Sequence, residues 1–418
     1  MKKRNKWRFA EAVLIMGWVL AGCSVPSDKG EGMEAGMSVR ETELSAGAAD
    51  MGTLPLGADS STRSGNMKED LPKVSELNNE LFDGSDMDLW DAGNERLIAL
   101  KENTLYLYDV AEEKIIAEGK TESWFIPYIY PCHDGFCIIG APEDNMENSD
   151  EGADGSFRVI EASDDQVWLA VFYDNALHEK KRILLNDIAK YPDATLWSVS
   201  PDMTMLAYFD LWKGLCIYDC NKESQRQILD FSGPVENVSG LLAPDTLYFD
   251  EEKEGLVFSG GTAKGDVTVE SWGCINLDGT GFENHILEKD AGTAAAYKNG
   301  KLLFGEDSLA FEKIMGYADT VTGEEKYSAN IEGGNTIGGP VFSDTGETFA
   351  VTDIKGSQAV LTIYNTADFS EIYRKVIRDE QEELFYRSPR VCLFDKSRVC
   401  LVCMGGYEVP LKALIIRY

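Results

Sequence analysis

The 418-residue chain has few basic residues, few histidines and no recognisable catalytic motif. Lysine and arginine number 39, against 72 aspartate and glutamate residues. Because neutralising nucleic-acid phosphates requires a basic surface, this balance excludes nucleic acid as a partner. Only three histidines are present, without the spacing of zinc ligands, so we expect no metal site and no cofactor. No Gly-x-Ser-x-Gly sequence occurs, which excludes a hydrolase built on a nucleophile elbow.

The first 23 residues have the pattern of a bacterial export signal. Five bases among the first eight residues precede an apolar stretch, residues 9–20, which is shorter than the ~20 residues needed to span a bilayer. It ends in Leu20-Ala21-Gly22-Cys23, which resembles the lipobox of bacterial lipoproteins. The resemblance implies that residues 1–22 are a signal peptide, and that Cys23 is acylated, for example with palmitate, and anchors the protein to a bacterial membrane on its extracytoplasmic side. An uncleaved transmembrane anchor and a cytosolic N-terminal helix are the alternatives.

Residues 23–70 have the composition of a solvated linker. Residues 24–70 contain no aromatic residue and no apolar period of 2 or 3.6, and they are rich in Gly, Ser, Ala, Asp and Glu. We therefore expect a disordered tether between the lipid and the folded part, residues 71–418. Cleavage before Cys23 removes five bases and one acid, which leaves 34 bases, 71 acids and a net charge of −37. Such a charge repels anionic headgroups, which agrees with a protein tethered near the membrane but not lying on it.

The region after residue 71 repeats one strand pattern. Alternating apolar residues run into an aromatic residue and then Asp or Asn, and the clear copies are residues 105–109, 169–174, 215–219 and 361–365. Weaker copies are residues 274–278 and 315–319. The spacing between copies, roughly 40 to 65 residues, is mostly that of propeller blades. The Asp or Asn opens a turn, and a return strand follows each clear copy.

Turn sequences recur before these signatures, each between two apolar runs, at residues 91–94, 133–135, 200–202, 298–300, 343–346 and 395–397. Helical patterns are poor. A four-stranded unit of this kind cannot bury both of its apolar faces alone, so it predicts neighbours of the same kind. We predict an all-β fold, a single β-propeller of about seven four-stranded blades after a disordered tether, with six or eight blades as alternatives.

The combination of Ser200-Pro201-Asp202 with the strand signature that ends at Asp219 resembles bacterial propellers of the TolB-like and WD40-like group, over about residues 71–418. The resemblance implies an architecture and no particular activity. No Gly-His and Trp-Asp pair recurs at blade spacing, so a scaffold role of the eukaryotic WD40 kind is not implied. The last repeat ends after three strands, and we expect residues 71–82 to supply the missing outer strand and close the ring.

Long loops are the expected contact sites, because the strands of a propeller are committed to packing. Residues 143–155 lack the spacing of an EF-hand loop and are interpreted as a long exposed binding loop. Residues 231–244 form a second candidate, whereas residues 259–265 are expected to be a glycine-rich hairpin loop. Trp124 and Trp212 are either exposed contact residues or core residues. The candidate contact carboxylates are Asp144, Glu147, Asp150, Glu151 and Asp154.

Nine cysteines are present, one of which is the lipidation site Cys23. Export would permit disulfides. A two-residue Asp-Gly turn between Cys132 and Cys137 would place these two residues directly opposite each other, within reach of a disulfide. Buried free thiols are the alternative.

Two functional hypotheses remain. The first is a membrane-tethered, extracytoplasmic lipoprotein of the cell envelope that acts as a non-catalytic binding or sensing protein for a protein, peptide or glycan. The second is a secreted hydrolase or lyase that acts on a saccharide through carboxylates in the propeller funnel. The absence of catalytic motifs favours the first. Carboxylates converging with Arg or His at the axis would favour the enzyme, and exposed Trp or Tyr would favour binding.

Overall fold

The computed structural model describes residues 74–76, 87–101, 103–142, 166–210, 213–230, 241–250, 253–264, 267–288, 294–305, 315–328, 335–355, 358–378, 390–406 and 409–418. All of these residues belong to one compact unit, Lys68–Tyr418. Within them, no helix has both the length and the apolarity that a membrane crossing requires.

The described residues form seven four-stranded antiparallel sheets, which we number as blades 1 to 7. The first described strand, β1 (Val74–Glu76), belongs to the last of them. Blades 1 to 4 are each built from four consecutive strands. Blade 1 contains β2 (Met87–Asp91), β3 (Arg96–Lys101), β4 (Thr104–Asp109) and β5 (Lys114–Lys120), and blade 2 contains β6 (Trp124–Cys132), β7 (Gly135–Pro142), β8 (Leu169–Asp174) and β9 (Glu179–Leu184). Blade 3 contains β10 (Leu196–Val199), β11 (Met205–Asp210), β12 (Gly214–Asp219) and β13 (Ser224–Asp230), and blade 4 contains β14 (Leu241–Asp250), β15 (Gly255–Lys264), β16 (Val267–Asn276) and β17 (Glu283–Ile286).

Blade 5 contains β18 (Ala294–Lys298), β19 (Lys301–Phe304), β20 (Gly316–Asp319) and β21 (Glu325–Tyr327). Blade 6 contains β22 (Asn335–Phe342), β23 (Thr348–Lys355), β24 (Gln358–Asn365) and β25 (Glu371–Arg378). Blade 7 contains β26 (Arg390–Phe394), β27 (Val399–Gly406) and β28 (Val409–Arg417), and β1 is its fourth strand. Two short 3-10 turns, Leu185–Asp187 and Pro192–Ala194, connect blades 2 and 3.

The blades close into a ring around a central axis. The first strand of each blade contacts the first strand of the next, and β2 of blade 1 contacts both β6 of blade 2 and β26 of blade 7. First strands therefore surround the axis and fourth strands form the outer edge. The fold is a seven-bladed β-propeller, and the predicted fold class is confirmed.

The predicted closure is also confirmed. Strand β1 pairs antiparallel with β28, with Val74 opposite Ile416 and Glu76 opposite Leu414. It completes a sheet of order β1-β28-β27-β26, so the two ends of the folded part share one blade. The outer edge of β28 is thereby covered at residues 414–416, and the short strand β1 becomes the outer strand of the blade.

The repeated Asp or Asn caps the turn between the third and fourth strands. The Asp109 carboxylate accepts the backbone N–H of Glu112 at 2.8 Å, and Asn365 accepts that of Ala367 at 2.8 Å. The backbone N–H of the residue after this Asp or Asn donates to the turn before the second strand. In blade 1, for example, the N–H of Val110 donates to the Glu95 carbonyl at 3.0 Å. These bonds satisfy backbone groups that the ladder leaves unpaired, which explains why the signature recurs.

The core lies between adjacent blades. Every residue of β7 is buried, because the two faces of this strand pack against blades 1 and 3. Phe136 stacks on Tyr173 with ring centroids 5.2 Å apart, in the cluster shared by blades 1 and 2. Each fully buried aromatic of this kind contributes about 1.5–3 kcal/mol from burial. Blade packing is thus the main source of stability, as the two-faced apolar strands require.

Two expectations are wrong in register. Residues 259–264 are the second half of β15, where Gly261 pairs with Glu270 and Lys264 with Val267, and are not a hairpin loop. The glycine residues keep the backbone hydrogen bonds between β15 and β16, because strand pairing does not require side chains. The turn after β6 consists of His133 and Asp134, so Cys132 pairs with Gly135.

Gly135 opens β7 directly after this turn. A Cβ at Gly135 would lie 1.9 Å from the Tyr173 carbonyl oxygen, so only glycine fits at this position beside β8. Cys137 lies opposite Tyr130, and the predicted opposition of Cys132 and Cys137 is wrong. Both cysteines are free and buried thiols, as are Cys216 and Cys220 in the same cluster.

Candidate functional site at the axis of the propeller

The turns between first and second strands meet at one end of the axis. Because all seven first strands run in the same sense around the ring, each blade places this turn at the same mouth, which we call the turn mouth. Neighbouring turns bond directly to one another. The N–H of His133 donates to the Pro201 carbonyl at 2.9 Å, and the Asn299 side chain donates to the Thr345 carbonyl at 2.6 Å.

Blades 6 and 7 are joined at the turn mouth by two carboxylates. Asp395 accepts the hydroxyl groups of Ser343 and Thr348, each at 2.5 Å, and also that of Thr345. Its own N–H donates to a carboxylate oxygen of Asp344 at 3.0 Å. Asp395 is therefore a structural residue, committed to holding the two turns together.

Asp91 is the most perturbed carboxyl group at this mouth. It ends β2, and one of its oxygens accepts the N–H of Gly93 at 2.7 Å. Burial raises the pKa of Asp91 from 3.8 to about 6, although the Gly93 bond and the ammonium of Lys298 both lower it, and the carboxylate of Asp344 raises it further. Lys298 ends β18 and Asp344 follows β22, so blades 1, 5 and 6 bring these three groups within electrostatic reach.

The inner strands carry a second carboxyl group with a raised pKa. Asp245 lies in a bulge of β14, between Pro244, which pairs with Gly260, and Thr246, which pairs with Ser259. It is exposed to solvent, yet desolvation by surrounding protein raises its pKa. A side chain that water reaches while protein surrounds it lies in a concave surface, and bulges commonly re-aim side chains in this way.

Tyrosines accompany Asp245 on the inner strands of blades 2, 4 and 5. Tyr128 on β6 is 53% exposed. Next to it, burial raises the pKa of Tyr130, and the nearby phenols of Tyr128 and Tyr248 raise it further. Tyr248 on β14 stacks against Tyr297 on β18 with ring centroids 5.7 Å apart. We call Tyr128, Asp245 and Tyr248 the axial wall.

The chemistry available at the axis is hydrogen bonding, charge pairing and aromatic stacking. Asp91 and Asp344 offer carboxylates, Lys298 one ammonium, and blade 2 contributes His133 to the same mouth. Across the described ranges, no three or more His, Cys, Asp or Glu side chains are grouped so as to hold a metal ion. The arrangement suits a polar or cationic ligand, with an exposed tyrosine for stacking.

Several sequence-predicted residues fall elsewhere. Trp124 is buried at 6% exposure and donates its indole N–H to the Thr121 hydroxyl at 2.9 Å, so it is a core residue. Residues 241–244 begin β14. Outside the described residues lie Cys23, Trp212, residues 231–240 and the loop carboxylates Asp144, Glu147, Asp150, Glu151 and Asp154.

The axial residues were visible in the sequence only as turn or strand residues. Asp91, Lys298 and Asp344 each fall in a predicted first turn, and that shared position is the signal that could have grouped them. No comparable signal marks Asp245 or Tyr128, because a bulge and an exposed inner position both depend on the folded ring.

Comparison with known proteins gives the fold and nothing finer. No protein-family model matches the chain, and no curated protein is significantly similar to it. The β-propeller domain of Cps50 (Swd1) from Myceliophteria thermophila superposes with a TM-score of 0.51 at 11% identity, over 83% of this chain and 100% of that one. A chain of the mitotic checkpoint complex matches with a TM-score of 0.46 at 10% identity, over 89% of this chain and 99% of that one. The likeness to the Cps50 (Swd1) domain agrees with the seven-bladed β-propeller fold of this chain.

Proposed function

We propose that this protein is a bacterial lipoprotein of TolB-like type, anchored through Cys23 on the extracytoplasmic side of a membrane, whose propeller binds a protein, peptide or glycan without catalysing a reaction. Residues 23–70 tether the propeller to the lipid. The basic start, the short apolar stretch and the Leu20-Ala21-Gly22-Cys23 ending support export and lipidation. A cysteine bearing more than one acyl chain is a stable anchor, which a single chain is not.

The observation that carries the binding role is the partial desolvation of two carboxyl groups on inner strands, Asp91 at the end of β2 and Asp245 within β14. Asp91 and Asp245 both have raised pKa values because protein has replaced part of their water. A ligand that brings hydrogen-bond donors or a positive charge restores the lost interactions at little further desolvation cost. The exposed ring of Tyr128 supplies a flat stacking surface on a neighbouring blade. Preorganised groups of this kind on a rigid ring are suited to recognition.

Anchoring is tested by labelling cells that express the full chain with an alkyne analogue of palmitate. We expect the label on the wild-type protein and on a Cys132→Ala control, and none on Cys23→Ala, which should keep residues 1–22. Equal labelling of Cys23→Ala would refute the anchor.

Axial binding is tested by placing a photo-crosslinking amino acid at Tyr128 in the native envelope. The control position is Val321, which is 55% exposed but lies in the turn between the third and fourth strands of blade 5. We expect crosslinked products from position 128 and not from position 321. Products from both positions, or from neither, would contradict axial binding.

Hydrolysis of a saccharide is the second candidate function, and one observation favours it. Asp91, with a pKa raised to about 6, lies within electrostatic reach of Asp344, and glycosidases use two carboxyl groups whose pKa values are pushed apart. Incubation with a panel of polysaccharides should then release reducing sugar, and Asp91→Asn should abolish the release. A wild-type protein that releases no sugar from any member of the panel rejects this function in favour of binding.

A further inference from the structure

A groove separates the outer strand of blade 2 from blade 3. Its volume is about 390 Å³, within the range of small ligand sites. Residues 181–184 of β9 form one wall, Asp187 and Ile188 of the connecting turn close one end, and Tyr218 and Glu223 of blade 3 form the other wall. The groove lies at the outer edge of the ring, away from the axial wall.

The two cations of the groove are already engaged. The ammonium of Lys181 donates to the Cys220 carbonyl of blade 3. The guanidinium of Arg182 donates to Glu122 at 2.5 Å and to both oxygens of Glu179, at 3.0 and 2.7 Å. These contacts fix β9 in place and leave neither cation free to bind a ligand anion as its main partner.

The two carboxylates of the groove are not engaged. Asp187 and Glu223 are exposed, and within the described part of the chain neither makes a hydrogen bond or an ion pair. Both carboxylates act on the phenol of Tyr218. Burial raises the pKa of this phenol, and the negative charges of Glu223 and Asp187 raise it further. A positive charge placed in the groove would therefore meet two uncompensated negative charges.

The apolar part of the groove follows a free strand edge. Leu184 is 37% exposed, next to the buried side chains of Ile183 and Ile188. Among the described strands, β9 pairs with β8 alone, so within the described residues the backbone groups on its other side have no partner strand. An extended peptide can add to such an edge through main-chain hydrogen bonds while its side chains fill the adjoining groove.

We propose that this groove binds an extended segment of a partner protein, which pairs with the free edge of β9, sets an aliphatic side chain on Leu184 and places a basic side chain between Asp187 and Glu223. The inference deepens the proposed binding function by naming a second surface and the chemistry of its partner. Charge complementarity selects the partner, because an acidic segment would be repelled by both free carboxylates and by the net charge of −33.

The test uses two fluorescein-labelled peptides of about nine residues, one alternating lysine with valine and the other glutamate with valine, titrated with the protein at about 0.15 M salt. Fluorescence anisotropy should show the lysine peptide binding at least about tenfold more tightly than the glutamate peptide. The double variant Asp187→Lys/Glu223→Lys should lose about tenfold in affinity for it. The matched control Glu112→Lys/Glu118→Lys reverses two exposed charges on blade 1 and should change affinity by less than about twofold.

Equal losses in the two double variants would show general attraction to an acidic surface and overturn the proposal, as would the absence of binding. Far-UV circular dichroism checks that both variants are folded. Hydrogen exchange then gives an independent readout, because the bound lysine peptide should slow the exchange of amides within residues 179–184 if it pairs with β9. Crosslinking at Tyr128 without groove binding would overturn this inference alone, whereas groove binding without such crosslinks would overturn the axial site alone.

Discussion

Replacing Asp91 with asparagine should stabilise the protein at neutral pH. Asparagine keeps the oxygen that accepts the Gly93 N–H but carries no charge. Because the pKa of Asp91 is raised from 3.8 in the unfolded chain to about 6 in the fold, ionisation is disfavoured in the folded state. At ~1.36 kcal/mol for each pKa unit, the difference between 3.8 and about 6 corresponds to about 3 kcal/mol at pH values above 6.

The sign of the pH dependence follows from which state holds the proton. Below about pH 4 both states are protonated at Asp91, so the substitution should change stability little. Between about pH 4 and 6 only the folded state is protonated, so wild-type stability falls relative to the variant as pH rises. Above about pH 6 the gap should be constant, with the variant more stable by up to about 3 kcal/mol.

Urea denaturation of both proteins at several pH values measures this gap from the free energies of unfolding. Asp278→Asn is the control. The pKa of Asp278 is lowered, chiefly by the Thr280 hydroxyl, so its substitution should reduce stability at neutral pH and have less effect as pH falls through the folded pKa. A free-energy gap for Asp91→Asn that is absent at pH 7.5, or that is the same at pH 3.5 and 7.5, would refute the reasoning.

Three further predictions concern closure, thiols and the acidic loop. Deleting residues 71–82 should lower the melting temperature sharply, because the edge of β28 loses β1, and an unchanged melt would contradict closure. In a Cys23→Ser protein, maleimide should label no thiol in the folded state, because the eight described cysteines are buried. After unfolding without reductant it should label all eight. A smaller number of labelled thiols would reveal a disulfide. Shortening residues 143–155 should leave folding intact and weaken binding to a partner captured from the native envelope. If the shortened protein captures that partner equally well, the loop is only a solvated insertion.

The sequence reveals much of this fold because its rules are local and repeated. The Asp or Asn signature caps a turn inside one blade, as Asp109 does for Glu112, so each copy can be recognised alone. Counting strands along the sequence then shows that the last blade has only three consecutive strands, and β1 is the fourth strand that this count requires. Register was harder to predict at Gly135, since the space that only glycine fits is set by the Tyr173 carbonyl, from a strand more than thirty residues away.

The candidate site is less accessible from sequence because its properties arise between blades. The pKa of Asp91 depends on Lys298 and Asp344, which become neighbours only when the ring closes. The exposure of Tyr128 and the setting of Asp245 likewise depend on the curvature of inner strands and on a bulge. Turn sequences predict where such residues lie along a strand but not which charges face them.

The identity of the residue at position 91 supports a role for its charge. If capping the turn were the whole requirement, asparagine would serve, and the chain uses Asn365 in this way, with its oxygen accepting the Ala367 N–H at 2.8 Å. The raised pKa of Asp91 instead indicates that an ionised aspartate at position 91 is less favourable in the fold than asparagine would be at neutral pH. Strained electrostatics of this kind concentrate at functional sites, where a ligand relieves them. A hydrogen-bond donor or cation from the partner that meets Asp91 at the turn mouth would offset the unfavourable ionisation of this residue. A ligand of this site should therefore bind Asp91→Asn more weakly than the wild type.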